Sequence, residues 1–415
     1  MTQSNRHVIV VGGGAAGMMA ALFALRAGAS VTLFDHNEKL GRKLYITGKG
    51  RCNVTNASDR ETFLRNVPRN PRFLHAALSC LSPDGLMALL AELGCPTIVE
   101  RGRRVFPESQ KASDVTRALT RAIAQADVRL GTGVAAVNVE DGSVADVTLA
   151  DGSSVTADAV ILATGGVSYP VTGSTGDGHR MAEAMGHAVS PLQPSLVPLE
   201  TVDQWPKTLQ GLSLVNVMLT ARHGKKKLLQ EQGELLFTHF GVSGPLILSL
   251  SSMAAGIQLN EVTATIDLKP AVSVEQLTQR LDDVLADNGR KQLITVLPQF
   301  MPLSLAQVFP AIAGVAPHAQ CSQLNRQQRQ AIIATMKAIP LNLSAPRPFD
   351  EAVITRGGVA VSQVDPSTMQ SKIIRGLFFA GELLDVDALT GGYNLQIAFS
   401  TGALAGRSAA RISAL

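Results

Sequence analysis

The chain has 415 residues, 46% hydrophobic and 17% charged, a balance that suits a globular protein of two or three domains and excludes a disordered one. Aromatic residues make up 4%, with a single tryptophan, Trp205, so extended base-stacking platforms are not expected. A net charge of +4 permits a nucleic-acid partner without demanding one.

The first element carries the most information. Val8-Ile9-Val10-Val11 reads as a strand that enters Gly12-Gly13-Gly14-Ala15-Ala16-Gly17, a G-x-G-x-x-G turn, and then a helical run from Met18 to Leu25. Gly12 permits the tight turn, Gly14 lets backbone approach a pyrophosphate, and Gly17 lets helix and strand pack closely. The helix N-terminus then faces the anion with unpaired N–H groups. A second strand, Ser30 to Phe34, ends at Asp35, 18 positions after Gly17. An acid there accepts from a ribose 2′-OH and repels a 2′-phosphate, which favours FAD or NAD over NADP. The uncharged run Val8 to Leu25 also has the look of a signal-peptide core or membrane helix. Four glycines, no small-residue cleavage site and a following strand with a terminal acid argue against that.

Downstream, cations crowd together. Lys39, Arg42, Lys43, Lys49, Arg51, Arg60, Arg65, Arg69 and Arg72 are opposed only by Asp59 and Glu61. Arg101, Arg103 and Arg104 form a second cluster and Lys225-Lys226-Lys227 a third. Either these are solvated faces plus groups that neutralise a cofactor's phosphates, or they form a polyanion-binding surface. The cysteines, Cys52, Cys80, Cys95 and Cys321, make no C-x-x-C and no zinc or iron–sulfur spacing, so no metal site and no local redox disulfide are expected. A reducing cytoplasm is the expected compartment, and no membrane partner is expected.

Pro71 to Leu93 reads as helical with Gly94 as its stop, and 114–126 as another helix. From Val128 to Thr156, short strands are separated by the hairpin signals Asp141-Gly142 and Asp151-Gly152. Asp158 to Gly166 returns a buried strand into glycine. Prolines at 191, 194 and 198 mark a boundary, after which 199–268 alternates in a β manner and 273–340 is helix-like. After Pro340, Pro346 and Pro348, Ile373 to Ala380 reads as a buried strand into Gly381-Glu382, and Leu395 to Ala410 as a closing helix of small residues. The expected organisation is a nucleotide-binding domain from both chain ends (1–192 and 348–415), an inserted β domain (193–272 and 338–347) and a helical subdomain (273–337).

Four segments together resemble the YhiN/BaiN-type family of FAD-dependent oxidoreductases, a bacterial branch of the two-dinucleotide-binding-motif flavoproteins. They are Gly12 to Gly17, Gly41 to Asn56 with its Arg51-Cys52-Asn53 core, Ala163-Thr164-Gly165-Gly166, and Gly381 to Asp385 with Gly391-Gly392-Tyr393-Asn394-Leu395-Gln396. The insert adds Phe237 to Pro245, and Thr47 stands where serine is commoner in the family. The resemblance implies an α/β fold: a Rossmann-like FAD-binding domain built from both ends, with an inserted β domain that carries a helical subdomain. No second G-x-G-x-x-G follows a strand, so FAD would be the single resident dinucleotide and NADH or NADPH a transient donor.

The chemistry of those segments can be argued from the residues. Arg42, Lys43 and Arg51 offer cations, and Gly48 and Gly50 let amides point inward, toward a pyrophosphate or the flavin's pyrimidine edge. Asn53 and Asn56 can donate to carbonyls. Gly381 allows close approach to the ribitol, with Glu382 or Asp385 accepting hydroxyl bonds or else capping turns. Gly392 opens the last helix toward the flavin's N1–C2=O region. Gly12, Gly14, Ala15, Ala16, Gly17, Asp35, Val134, Thr164, Gly165, Tyr393, Asn394 and Leu395 complete the cofactor set the resemblance implies.

For proton delivery, Cys52 and His239 are the candidate catalytic residues; the alternatives are a buried small residue beside the cofactor and a satisfied core histidine. The family points to reduction of an activated C=C bond, with a uridine of 23S ribosomal RNA as first substrate and a small enone or steroid-like molecule as second. A third possibility is a non-enzymatic FAD-containing RNA-binding protein. The oligomeric state is not legible.

Overall fold

The computed structural model describes residues 6–411; the outermost residues of the nucleotide-binding segments, 1–5 and 412–415, lie outside that range. The chain divides into two compact units, one within Met1–Pro194 and Phe349–Leu415, the other Ser195–Pro348.

In the first unit, β-branched and aliphatic runs form a parallel sheet of five strands among the described residues, in the order Leu377–Phe379, Ala159–Leu162, His7–Val11, Ser30–Asp35, Asp127–Leu130. Val8 faces Ala159 on one side and Val31 on the other. The chain builds outward from His7–Val11 in one direction and later returns to its other side. That reversal opens a crevice at the carboxyl ends of the strands, the usual place for a dinucleotide. Both ends of the chain meet through two helices, Ala15–Arg26 and Tyr393–Ala409. Gly402 and Gly406 bring these backbones together: a Cβ on either would stand 2.3 Å from the Ala16 carbonyl oxygen or 2.1 Å from that of Ala20. Small residues one helical turn apart thus join the two ends.

Two elements differ from expectation. The apolar stretch from Pro71 is broken into a 3-10 turn (Pro71–Leu74) and helices His75–Cys80 and Pro83–Glu92. Pro83 cannot continue the preceding helix, and Ser82 instead caps the next by accepting from the Gly85 N–H at 3.1 Å. By length and composition this stretch alone among the described residues passes for a membrane span. The expected strand Ile373 to Ala380 shrinks to Leu377–Phe379, because the Ser371 hydroxyl takes the Ile373 and Ile374 N–H groups into a turn.

In the second unit the alternation of 199–268 is real. Along Ser213–His223, Leu214, Val217, Leu219 and Ala221 are buried while Ser213, Val215, Asn216 and Arg222 are exposed. Six strands close a barrel in the order Leu199–Thr201, Gly241–Ser243, Lys226–Thr238, Ser213–His223, Val262–Asp267, Ile339–Pro346. Pro245–Met253 interrupts the pattern as a helix. Helices Val274–Asp287 and Arg326–Lys337 both begin with capping boxes, on Ser273 and Asn325, and share one apolar core with the barrel.

Candidate cofactor site

The glycine turn is built as close packing demands. A Cβ on Gly12 would lie 2.6 Å from the Ala163 carbonyl oxygen, and one on Gly17 would lie 1.7 Å from that of Gly12. Gly14 is different: a Cβ there meets nothing within 4 Å. Gly14 also opens the helix of Ala15 and Ala16 without any side-chain cap, so the first-turn amides face an open cradle that a side chain would fill. Asp35 accepts from the Gly13 N–H at 2.7 Å and, on its other oxygen, from Asn37 N at 2.7 Å and Nδ2 at 2.9 Å. Three of its roughly four acceptor positions are used, which aims the carboxylate and leaves capacity for a hydroxyl. In the neighbouring turn, Gly165 has φ +76° and the buried Thr164 hydroxyl has no hydrogen-bond partner in the protein. Val134, buried, starts the strand Val134–Glu140 just beyond Gly133, which lies beside His36. An open glycine cradle, an oriented acid and an orphaned hydroxyl fit a dinucleotide such as FAD.

The basic loop is arranged otherwise than expected. Its cations are spent on the protein itself. Arg42 donates to Asn37 Oδ1 at 2.6 Å and to the Val171 carbonyl at 2.8 Å. Lys43 donates to Ser168 Oγ and to Glu382 Oε2, both at 2.7 Å. Arg51 donates to Glu100 and to Gln110 Oε1 and lies 4.0 Å over the Phe106 ring. Gly48, at φ +58°, is exposed, and Asn53 Oδ1 accepts from Val105 N at 3.2 Å. Of the loop's cations, Lys43 and Arg51 are therefore paired with acids and Arg42 is held by neutral acceptors, while Lys49 stays exposed.

At the carboxyl end, Gly381 (φ +73°) presses on Ala16, where a Cβ would come within 2.8 Å. Glu382 closes a network joining four distant segments: besides Lys43 it accepts from Ser168 Oγ at 2.9 Å and Thr355 N at 2.7 Å. Burial by itself would raise the Glu382 pKa, but the Lys43 charge and these hydrogen bonds outweigh it and hold the carboxyl below its ordinary value. Asp385 is not an open acceptor for ribitol. Arg69 grips it with two hydrogen bonds, at 2.5 and 2.6 Å, and Ser190 adds a third at 2.8 Å.

The closing helix starts at a strained pair of glycines. At Gly392 (φ +101°) a Cβ would lie 2.3 Å from the Thr55 carbonyl oxygen, and Asn56 Nδ2 donates to the Gly391 carbonyl at 3.0 Å. Tyr393 turns inward, edge-on to Phe63 at 5.1 Å, so it stacks in the core, where burial pushes its pKa up. Asn394 pins its own approach loop by accepting from Ala388 N and donating to Ala388 O. Leu395 is half-buried against the same core.

The two side chains nominated for proton delivery fare differently. Cys52 is 0% exposed, and burial pushes its thiol up to about 12, offset only in part by a hydrogen bond with Thr47. It stays protonated and sealed in the core, which accords with the alternative of a buried small residue rather than a proton donor open to substrate. His239 is an exposed turn residue of the second unit, edge-on to Phe240 at 4.9 Å, not a core histidine. Cys52→Ser is therefore expected to keep turnover within about three-fold of the parent. A general acid contributes on the order of 10²-fold or more, so a loss of that size with flavin content intact would show the thiol in use.

Glu100, Gln110, Ser168, Thr355 and Asn37 went unseen in the sequence, and Arg69 was seen only as one of the clustered cations, not as the partner of Asp385. Nothing in their spacing announces them, since each acts through a partner far along the chain or around a turn.

A sequence model of the HI0933-like protein Rossmann domain matches residues 6–408. The chain is 32% identical over 406 residues to a 3-dehydro-bile acid delta(4,6)-reductase of Clostridium scindens, covering 97% of this chain and 98% of that one. It is 31% identical over 399 residues to a ribosomal RNA dihydrouridine synthase of Escherichia coli, covering 95% of each. Among solved structures, a 3-ketosteroid-delta4-(5alpha)-dehydrogenase from Rhodococcus jostii shares the fold, with a TM-score of 0.52, 16% identity, and 99% and 98% of the two chains covered. With the glycine cradle, the oriented acid and a match along nearly its whole length, this chain belongs to the HI0933-like family of Rossmann-domain, FAD-dependent oxidoreductases.

Proposed function

We propose that this protein reduces an activated C=C bond of a uridine in 23S ribosomal RNA, with NADH or NADPH as transient electron donor. FAD, when bound and reduced by that donor, would supply the hydride. Uracil is a suitable acceptor because C5=C6 is conjugated to C4=O, so hydride adds at C6 and a proton at C5. The chain's own part is positional: the amides after Gly14 and the Asp35 carboxylate hold the cofactor, and Glu382 with Lys43 and Ser168 braces the segments around it.

The observation that carries the RNA reading is the surplus of exposed cations on the cofactor unit once internal pairs are removed. Lys43, Arg51 and Arg69 are paired with Glu382, Glu100 and Asp385, yet Lys39, Lys49, Arg72, Arg101, Arg103 and Arg104 stay exposed. Such a field suits a polyanion. A second reading, a small enone or steroid-like substrate, is favoured by exposed apolar side chains on the segments that Arg42 ties together: Tyr45 at 42%, Ile46 at 43% and Val171 at 76%. A cytoplasmic location belongs to the same proposal, and four free thiols accord with it.

Nucleoside analysis of large-subunit RNA decides between the readings. Cells lacking the protein are expected to lose one dihydrouridine, restored by the intact gene. Unchanged RNA together with NAD(P)H-driven reduction of enones by purified protein would replace the first reading with the second.

A further inference from the structure

We infer that the arginine tip formed by Arg101, Arg103 and Arg104 is the surface that grips the phosphate backbone of the RNA beside the target base. The inference rests on the proposed RNA substrate and adds where that substrate is held.

The tip joins two short strands, Thr97–Glu100 and Arg104–Pro107, through a turn in which Gly102 and Arg103 both take positive φ, +75° and +58°. Its backbone is pinned on one side. Ala57 N donates to the Arg103 carbonyl at 2.8 Å, Asn56 pairs with Arg104 across the sheet, and Asn56 Nδ2 donates to the Gly102 carbonyl at 3.1 Å. That same amide nitrogen donates to the Gly391 carbonyl at the start of the closing helix. A single asparagine therefore spaces the tip from the start of the closing helix.

The side chains have no such commitment. All three arginines are exposed, and no carboxylate among the described residues lies within ion-pair distance of any of them. The nearest acid in sequence, Glu100, is taken by Arg51. Arg104 makes only a 3.1 Å bond to the Arg101 carbonyl and a distant contact with Phe106, 5.8 Å from the ring centre. Arginine is also the better residue for this task, since its planar fork meets phosphate oxygens two at a time. Because the backbone is held, the ordering cost of meeting a ligand falls on the guanidinium side chains alone. Several such groups with no acid among them suit a chain of phosphates.

The test uses the full-length, flavin-loaded protein and large-subunit ribosomal RNA from cells that lack it. The probe is the slope of log affinity against log salt between about 50 and 200 mM. Combining R101Q, R103N and R104Q is expected to lower that slope by about 2, at roughly 0.7 per lost single-strand contact, with flavin content unchanged. The inference is overturned if the parent binds with a steep slope and the triple variant matches it. It is equally overturned if the slope falls only when Lys225, Lys226 and Lys227 are neutralised. A triple variant with intact RNA binding but a raised KM for NADPH and not NADH would assign the tip to a donor's 2′-phosphate and overturn it too. A parent protein with no salt-sensitive RNA binding would sink this inference and the RNA substrate together, which separates that failure from the others.

Discussion

Replacing Gly17 with alanine is expected to yield colourless, destabilised protein, whereas the same change at Gly14 removes the flavin and leaves the fold. At Gly17 the new Cβ would stand 1.7 Å from the Gly12 carbonyl oxygen, a backbone atom that cannot swing aside. Turn and helix must separate, at a cost of about 3 kcal/mol, and the amide array separates with them. At Gly14 the new Cβ meets nothing within 4 Å, and the backbone at φ −78° accepts any residue. Stability of the free protein should change by less than about 1 kcal/mol, the scale of an N-cap substitution. The same methyl occupies the cradle where phosphates approach, so affinity for FAD should fall at least about ten-fold, or 1.4 kcal/mol. Flavin titration followed by visible absorbance, and melting of each variant without added flavin, separate the cases. Normal flavin affinity in Gly14→Ala would remove the pyrophosphate from this turn.

Glu382→Gln is expected to cost about 2 kcal/mol, because it removes the charge that holds Lys43, Ser168 and the Thr355 amide together. The Lys43 and Glu382 side chains are only 25% and 20% exposed, so solvent replaces the lost partner poorly. Adding Lys43→Met should cost less than the sum of the single changes, since the uncompensated ammonium disappears. The pH dependence follows from the direction of the shift. A folded-state pKa held below the ordinary 4.5 contributes stability that is fully present above the unfolded value and is lost as pH falls through the folded one. Parental protein should thus lose stability on acidification below about pH 4.5, and Glu382→Gln should lack that part of the acid limb. Superimposable melting-versus-pH curves for the two proteins would contradict the network.

Much of the fold could be read in advance because its signals are local. The β-branched run before Gly12, the acid closing Ser30–Asp35 and the hairpin signal Asp141-Gly142 each specify backbone conformation over a few residues. Proline is informative at some positions and misleading at others. The clusters near 194 and 348 mark the seam between the two units, yet Pro83 splits a stretch whose apolar periodicity reads as one helix. Periodicity reports which faces are buried; it is silent about whether the helix axis continues.

By itself the sequence determined the glycine turn that opens the first helix, because Gly12 acts through its φ of +104° and Gly14 and Gly17 through their missing side chains. Only the tertiary structure decided which charges remain available to a substrate. Lys43 meets Glu382 across 339 positions and Arg69 meets Asp385 across 316, and Cys52 is sealed in the core despite its basic neighbours. Charge and burial depend on neighbours within a few ångströms in space, and a sequence names the possible partners without saying which of them fold into reach.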